Sequence, residues 1–201
     1  MTITKKLIAF SIVVFSCTAA HAQTFMHGAG LNVFVTKVQN LEAQGFGGLE
    51  YSPRVTFLET ESISLTVGIP ISVGFSGSYS STYDSYYGSY TDNSLKFMFN
   101  APLIINFNVG CGSTKENENR FGAFVGGGFG YHYQTASGTV YDESGYPIDK
   151  ASASTFGPAA NAGFRIAVGS HQKNIETRLS YMKGLSDNNS NIFGVSVLFN
   201  F

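Results

Sequence analysis

Apolar residues recur at every second position in eight separate segments of the chain, and this alternation restricts the fold more than any other feature. Neighbouring side chains of a β-strand point to opposite faces, so each segment reads as a strand with one apolar face. The predicted strands are about 27–37, 45–57, 62–75, 94–109, 120–134, 155–169, 174–185 and 191–201. Because no segment combines helical periodicity with caps, we predict an all-β chain.

The beginning of the sequence has the pattern of a secretory signal peptide. Lys5 and Lys6 precede an apolar stretch that ends at about Ala20, and the small residues Ala20 and Ala22 form a cleavage site. The apolar stretch is too short to cross a bilayer as a helix. We therefore predict a signal peptide over residues 1–22, which directs Sec-dependent export and is then removed.

The predicted mature chain, residues 23–201, is long enough for one domain. It contains a single cysteine, Cys111, so its stability cannot come from an intramolecular disulfide. A lipoprotein signal that acylates Cys17 is the alternative interpretation of the leader. The bulky Phe15 fits the lipoprotein pattern poorly, so the signal peptidase site is favoured.

The charge balance argues against nucleic acid as a partner. The sequence has 12 Lys and Arg against 13 Asp and Glu, and two of those cations, Lys5 and Lys6, lie in the predicted leader. The mature chain has no run of Lys or Arg. Binding to nucleic acid requires a basic patch, so we predict no nucleic-acid function.

The composition of the face opposite each apolar stripe distinguishes a membrane barrel from a soluble one. It holds mainly Gly, Ser and Asn, whereas a water-facing sheet is usually rich in Lys, Glu and Thr. Small residues suit the crowded interior of an eight-stranded barrel. The apolar faces carry almost no charge, and the one cation on them, Lys183, lies near a strand end. We predict an eight-stranded antiparallel up-and-down transmembrane β-barrel; the alternative is a lipocalin-like barrel with the apolar stripe inside.

A few charged side chains fall on the predicted inner face. Isolated charges in a barrel interior require partners of opposite sign, and both signs are present here. The predicted lumen charge network consists of Glu50, Arg54, Arg120, Arg165, Glu176 and Arg178.

The longest connections follow odd-numbered strands. These are residues 76–93 and 135–154, and long connections are typical of the external side of an outer-membrane barrel. The first is rich in Tyr and Ser, which supply adaptable contact area, although Tyr is also enriched at membrane interfaces. The candidates for contact with an unidentified surface ligand are Tyr79, Tyr83, Tyr86, Tyr87 and Tyr90.

Two segments carry a resemblance to a known family. They are "FGVSVLFNF", which ends at Phe201, and "LKFMFNAPLIINF", which contains Pro102. The chain resembles small Gram-negative outer-membrane β-barrel proteins of the OmpX/OmpA type and the PorT-like outer membrane protein beta-barrel domain. The resemblance implies residence in the cell outer membrane, with lipid around the barrel. It also implies that Phe201, Phe199 and Val197 form a signal read by the barrel-assembly machinery.

No catalytic set emerges from the sequence. The glycines of "GGGFG" (126–130) precede no helix, so they do not form a phosphate loop. A role for His132 like that of the outer-membrane lipid A deacylases is disfavoured, because its phase points into the lumen. We therefore predict a monomeric, non-enzymatic barrel with a structural or surface-interaction role, without cofactor or metal. The alternatives are a narrow pore for small or apolar solutes and a lipid-modifying enzyme.

Overall fold

The computed structural model describes residues 24–37, 43–84, 88–114, 117–135, 139–141, 147–149, 153–169, 173–186 and 190–201. The predicted signal peptide lies outside these residues. In this part of the chain no helix has the length and apolarity needed to cross a membrane.

The described chain is a ring of antiparallel strands. The strands are β1 (Thr24–Lys37), β2 (Gln44–Thr60), β3 (Ile63–Gly68), β4 (Ile71–Asp84), β5 (Gly88–Gly110), β6 (Phe121–Gln134), β7 (Thr139–Tyr141), β8 (Pro147–Asp149), β9 (Ala153–Ala167), β10 (Asn174–Lys183) and β11 (Asn191–Asn200). β3 and β4 together form one of the eight strands of the barrel wall, because both lie between β2 and β5 and pair with them. β1 pairs with β11 and closes the ring, while β7 and β8 form a separate small hairpin. The predicted eight-stranded antiparallel barrel is confirmed.

The third strand of the barrel wall is interrupted, which the sequence did not lead us to predict. A continuous strand was predicted over residues 62–75, but β3 ends at Gly68 and β4 begins at Ile71. Pro70 lies between them and has no N–H to donate to a sheet ladder. The N–H of Ile69 instead donates to the carbonyl oxygen of Pro53 at 3.2 Å. The interruption is therefore local, and both pieces remain part of the barrel wall.

The two faces of the wall are chemically opposite. Large apolar side chains point outward around the ring, and Leu31, Leu95 and Phe164 are 67%, 78% and 71% exposed. Polar side chains such as Asn108 and Asn174 are fully buried inside. The lipocalin-like alternative, which needs the apolar stripe inside, is therefore wrong. We call the outward apolar surface the apolar belt.

The barrel has two ends, named here by their connections. The turn end carries the connections β2–β3, β5–β6 and β9–β10, together with Thr24 and Phe201. The hairpin end carries the connections β1–β2, β4–β5, β6–β9 and β10–β11. The two longest predicted loops both lie at the hairpin end, as the alternation of the strands requires.

A two-stranded ribbon extends beyond the barrel at the hairpin end. β4 and β5 pair from Ser76 and Lys96 as far as Asp84 and Gly88. The pairing of β4 with β2 ends at Phe75, and that of β5 with β6 begins at residue 98. At the rise of an antiparallel strand, the ribbon reaches about 30 Å past its neighbours. We call residues 76–96 the projecting hairpin.

The projecting hairpin changes the interpretation of the predicted loop 76–93. Most of that segment is strand rather than loop, since its backbone forms a continuous ladder. Tyr79, Tyr83 and Tyr90 lie on this ladder, and their side chains are outside the described part of the structure. Tyr86 and Tyr87 lie outside the described residues altogether.

The close approach of β4 to β2 explains why residue 48 is a glycine, and the neighbouring Gly47 provides a matched control. A Cβ at Gly48 would lie 1.9 Å from the carbonyl oxygen of Val73, whereas a Cβ at Gly47 meets nothing within 4 Å. We expect Gly48→Ala to lower the free energy of unfolding by about 1–3 kcal/mol, because the backbone of β4 must move away. Gly47→Ala should leave it nearly unchanged. Urea unfolding of the barrel refolded in detergent measures both, and equal effects would contradict the steric explanation.

Candidate functional site in the barrel lumen

Five charged side chains meet inside the turn-end half of the barrel. They are Glu50 and Arg54 from β2, Arg165 from β9, and Glu176 and Arg178 from β10, and each is at most 4% exposed. Even spacing along each strand places these residues on the same inward face. We call them the charge cluster.

Glu176 is the hub of the charge cluster. Its Oε2 accepts hydrogen bonds from Arg54 Nη1 at 2.9 Å and Arg165 Nε at 2.8 Å. Its Oε1 accepts from Arg178 Nε at 2.9 Å and also from Arg178 Nη2. Asn200 Nδ2 donates to Oε2 at 3.0 Å. One carboxylate therefore binds three guanidinium groups, contributed by three different strands.

Glu50 forms the second acidic position. Its Oε1 accepts from Arg178 Nη1 at 2.6 Å, and its Oε2 accepts from Ser196 Oγ at 2.6 Å and Ser72 Oγ at 3.3 Å. One oxygen of this carboxylate is therefore held by Arg178, and the two serine hydroxyls share the other.

An aromatic ring that the sequence analysis missed packs against the charge cluster. The guanidinium carbon of Arg165 lies 4.4 Å from the centroid of the Phe124 ring, and that of Arg178 lies 5.7 Å from it. Cations are attracted to the face of an aromatic ring at such distances. The available signal was that Phe124 falls in the inward phase of β6, whose other inward positions are mostly glycine.

Arg120 does not join the other predicted lumen charges. It is exposed in the connection before β6, and its carbonyl oxygen accepts from the N–H of Ala167 at 2.9 Å. The alternation was extended one residue past the true start of the strand at Phe121. The prediction that Arg120 belongs to the lumen network is therefore wrong.

The hairpin-end half of the lumen contains an apolar layer that the sequence analysis also missed. Its members all point inward and are buried; they are Phe34, Phe46, Met98, Ile104, Ala159, Met182 and Ile192. Phe34 and Phe46 are directly opposite each other on β1 and β2. The signal was present in the sequence, since these residues interrupt the otherwise polar inward phase. We call this group the apolar layer.

The connection after β5 covers the lumen at the turn end. Cys111 to Thr114 are all buried, and Arg165 Nη1 donates to the carbonyl oxygen of Gly112 at 3.3 Å. Gly112 has φ +69°, a left-handed conformation that glycine adopts without strain. Burial raises the pKa of the Cys111 thiol, and the positive charge of Arg165 acts in the opposite direction. We call residues 111–114 the closing turn; its position explains why this connection is longer than a minimal turn.

A small cavity lies between the charge cluster and the apolar layer. Its volume is about 20 Å³, and Glu50, Arg178, Asn161, Phe34 and Ile192 contribute to its lining. A single water molecule needs roughly 10–15 Å³ by this kind of measure. The cavity therefore has room for about one water.

His132 lies apart from the charge cluster. Its ring nitrogens are 3.3 Å from Asn100 Oδ1 and 3.4 Å from Gln134 Oε1. Both partners are amides, so neither orients the ring as a carboxylate would in a catalytic set. Across the described residues, no group of three or more His, Cys, Asp or Glu side chains is arranged to hold a metal ion.

The predicted assembly-signal residues lie on the outside of the barrel at the turn end. Phe199 and Val197 are outward residues of β11 and are 42% and 50% exposed. The N–H of Phe201 donates to the carbonyl oxygen of His27 at 2.9 Å. The Phe201 and His27 rings are 4.3 Å apart between centroids. The three residues thus share one accessible face, and their role as a signal stays a prediction.

Solved structures of other proteins share this fold. The attachment invasion locus protein of Yersinia pestis, solved in complex with the heparin analogue sucrose octasulfate, is 11% identical, with 89% of this chain and 98% of that chain covered and a TM-score of 0.55. Neisserial surface protein A is 9% identical, with 90% and 98% covered and a TM-score of 0.54. No protein-family model and no curated protein matches the chain. The chain therefore has the fold of small outer-membrane β-barrel proteins, with an apolar belt suited to that membrane.

Proposed function

We propose that the protein is a non-enzymatic outer-membrane barrel that presents the projecting hairpin to a partner at the cell surface. The observation that carries this proposal is the ribbon itself, which extends about 30 Å beyond the barrel and has no strand paired to either edge among the described residues. Unpaired strand edges expose backbone N–H and C=O groups, which add an extended partner segment readily. The hairpin end carries the longest connections, so we infer that it is the external end.

The filled lumen favours a surface role over transport. Among the described residues, the closing turn covers the turn end, and the apolar layer packs across the hairpin-end half together with the buried side chains of His132, Asn100 and Gln134; the cavity between the apolar layer and the charge cluster has room for about one water. A conducting path requires a continuous hydrated route, and hydrophobic constrictions oppose one. The lumen supplies stability in this proposal, and binding takes place outside it.

The composition of the external segments indicates the chemistry of the partner. The projecting hairpin contains Asp84 and Asp92 against one cation, Lys96, and residues 135–154 contain three acidic residues against one Lys. A sulfated polysaccharide requires clustered cations, so the heparin analogue bound by the Yersinia pestis protein is a poor guide here. We infer a polypeptide partner that pairs through its backbone and through polar, uncharged contacts.

The test compares the intact protein with a variant in which residues 78–94 are replaced by Asn-Gly, a sequence suited to a tight hairpin turn. Both should assemble and show heat-modifiable migration on gels, because the replaced segment lies outside the barrel wall. Cells carrying the intact protein should bind immobilised extracellular polypeptides that cells carrying the shortened variant do not bind. Equal binding by the two would remove the hairpin from the function.

Planar-bilayer recording of the refolded barrel addresses the pore alternative. We expect no stable conductance steps, because both the closing turn and the apolar layer block the lumen. Regular open channels in the intact protein would contradict the closed-barrel proposal. Unchanged lipid A mass in cells that express the protein is the corresponding expectation for the lipid-modifying alternative.

A further inference from the structure

The charge cluster does not balance among the described residues. Three buried guanidinium groups, those of Arg54, Arg165 and Arg178, face only two buried carboxylates, those of Glu50 and Glu176. Within the part of the chain that the structure describes, the interior therefore contains one positive charge without a counter-charge. A buried charge without a partner is strongly unfavourable, so this excess requires compensation.

Donor atoms without hydrogen-bond partners show where the excess positive charge lies. Every side-chain nitrogen of Arg178 has an acceptor. By contrast, Arg54 Nε, Arg54 Nη2 and Arg165 Nη2 are buried and have no hydrogen-bond partner. Arg54 and Arg165 both bind Oε2 of Glu176, so the two guanidinium groups are neighbours across one oxygen atom. The unused donors thus belong to adjacent groups.

A hydroxyl group lies next to these donors along the chain. Thr56 follows Arg54 by two residues on β2 and points to the same inward face. Its Oγ1 is also buried without a partner. Guanidinium and hydroxyl groups both donate hydrogen bonds, and together they form the kind of set that binds an anion.

We propose that the turn-end half of the lumen holds one small monovalent anion, such as chloride, between Arg54 and Arg165, with Thr56 as a further donor. Water satisfies hydrogen bonds but leaves the excess charge in place, whereas an anion corrects both. The closing turn covers this end, so the anion is taken up as the barrel folds and exchanges slowly afterwards.

Bromide is a direct probe, because it replaces chloride and scatters X-rays anomalously. Crystals of the intact protein refolded in bromide should show an anomalous peak within hydrogen-bond distance of Arg54 Nη2 and Arg165 Nη2. A map with no peak there would overturn the proposal. This measurement uses the unaltered chain and decides the question even if a variant fails to fold.

The dependence of thermal stability on chloride is a second, independent test of the anion site. The protein is refolded into detergent at constant ionic strength with chloride replaced stepwise by gluconate, and the midpoint of heat modifiability is recorded. We expect the midpoint to rise by about 3–6 °C for each tenfold increase in chloride above saturation of the site. Arg54→Met removes the excess charge and two of the unused donors, so its midpoint should not depend on chloride.

Arg120→Met is the matched control, since it removes an exposed Arg outside the charge cluster. It should retain the chloride dependence of the intact protein. Equal chloride dependence in the Arg54→Met variant would show that the effect arises elsewhere and would contradict the proposed site. A midpoint that is insensitive to chloride in the intact protein would do the same.

Discussion

Glu176→Gln is expected to lower the free energy of unfolding of the barrel by about 3–5 kcal/mol, the usual cost of leaving buried charges unpaired. The carboxylate binds Arg54, Arg165 and Arg178, and all three remain buried when it is neutralised. An amide of the same size keeps the packing but loses the charge. Urea titration of the protein refolded in lipid vesicles measures the loss.

Two further variants separate the charge from the general effect of a substitution. Glu59→Gln changes an exposed Glu near the end of β2 and should alter stability by less than about 0.5 kcal/mol. The double variant Glu176→Gln/Arg54→Met restores the original excess of one positive charge and should recover part of the loss, since coupled residues are not additive. A fully additive double variant would show that the ion pairs are not the source of the effect.

Phe201→Ala is expected to reduce the amount of assembled barrel in cells severalfold, although its effect on folding in a test tube is small. Burial of one Phe side chain contributes only about 1.5–3 kcal/mol, and Phe201 is 53% exposed before lipid is considered. If the residue belongs to the signal read by the assembly machinery, the loss occurs before folding is complete. Heat-modifiable barrel in isolated membranes is the quantity to measure.

Phe193→Ala is the matched control for Phe201. Phe193 is 54% exposed on the same outer face and contacts Tyr181 at a centroid distance of 4.9 Å. Both variants should refold with similar stability in detergent, whereas only Phe201→Ala should accumulate as unfolded protein in cells. Similar assembly of the two in cells would reduce Phe201 to an ordinary lipid-facing residue.

The sequence predicted the features that depend on one strand at a time. Alternation is a local property, so the strands, the outward direction of Leu31 or Phe164, and the inward direction of Glu176 follow from the period alone. The interruption at Pro70 is also local and had a visible signal, because proline cannot donate to the ladder.

Features that depend on register between strands could not be predicted in this way. Contact between Phe124 and Arg165, or between Glu50 and Arg178, requires the stagger of the strands around the ring, and a list of strands does not contain it. The projecting hairpin required knowledge that β4 and β5 continue to pair after their outer neighbours end. Arg120 was misplaced because a strand boundary is less well determined by alternation than its interior.

The division of the lumen into an apolar layer and a charge cluster bears on the order in which the barrel closes. The ion pairs of the charge cluster join β2 to strands near the other end of the chain, since Arg54 binds Glu176 and Glu50 binds Arg178. Contacts between residues so far apart in sequence form late, because a long stretch of chain must first be ordered. The charge cluster can therefore form only once β10 has reached its place in the wall.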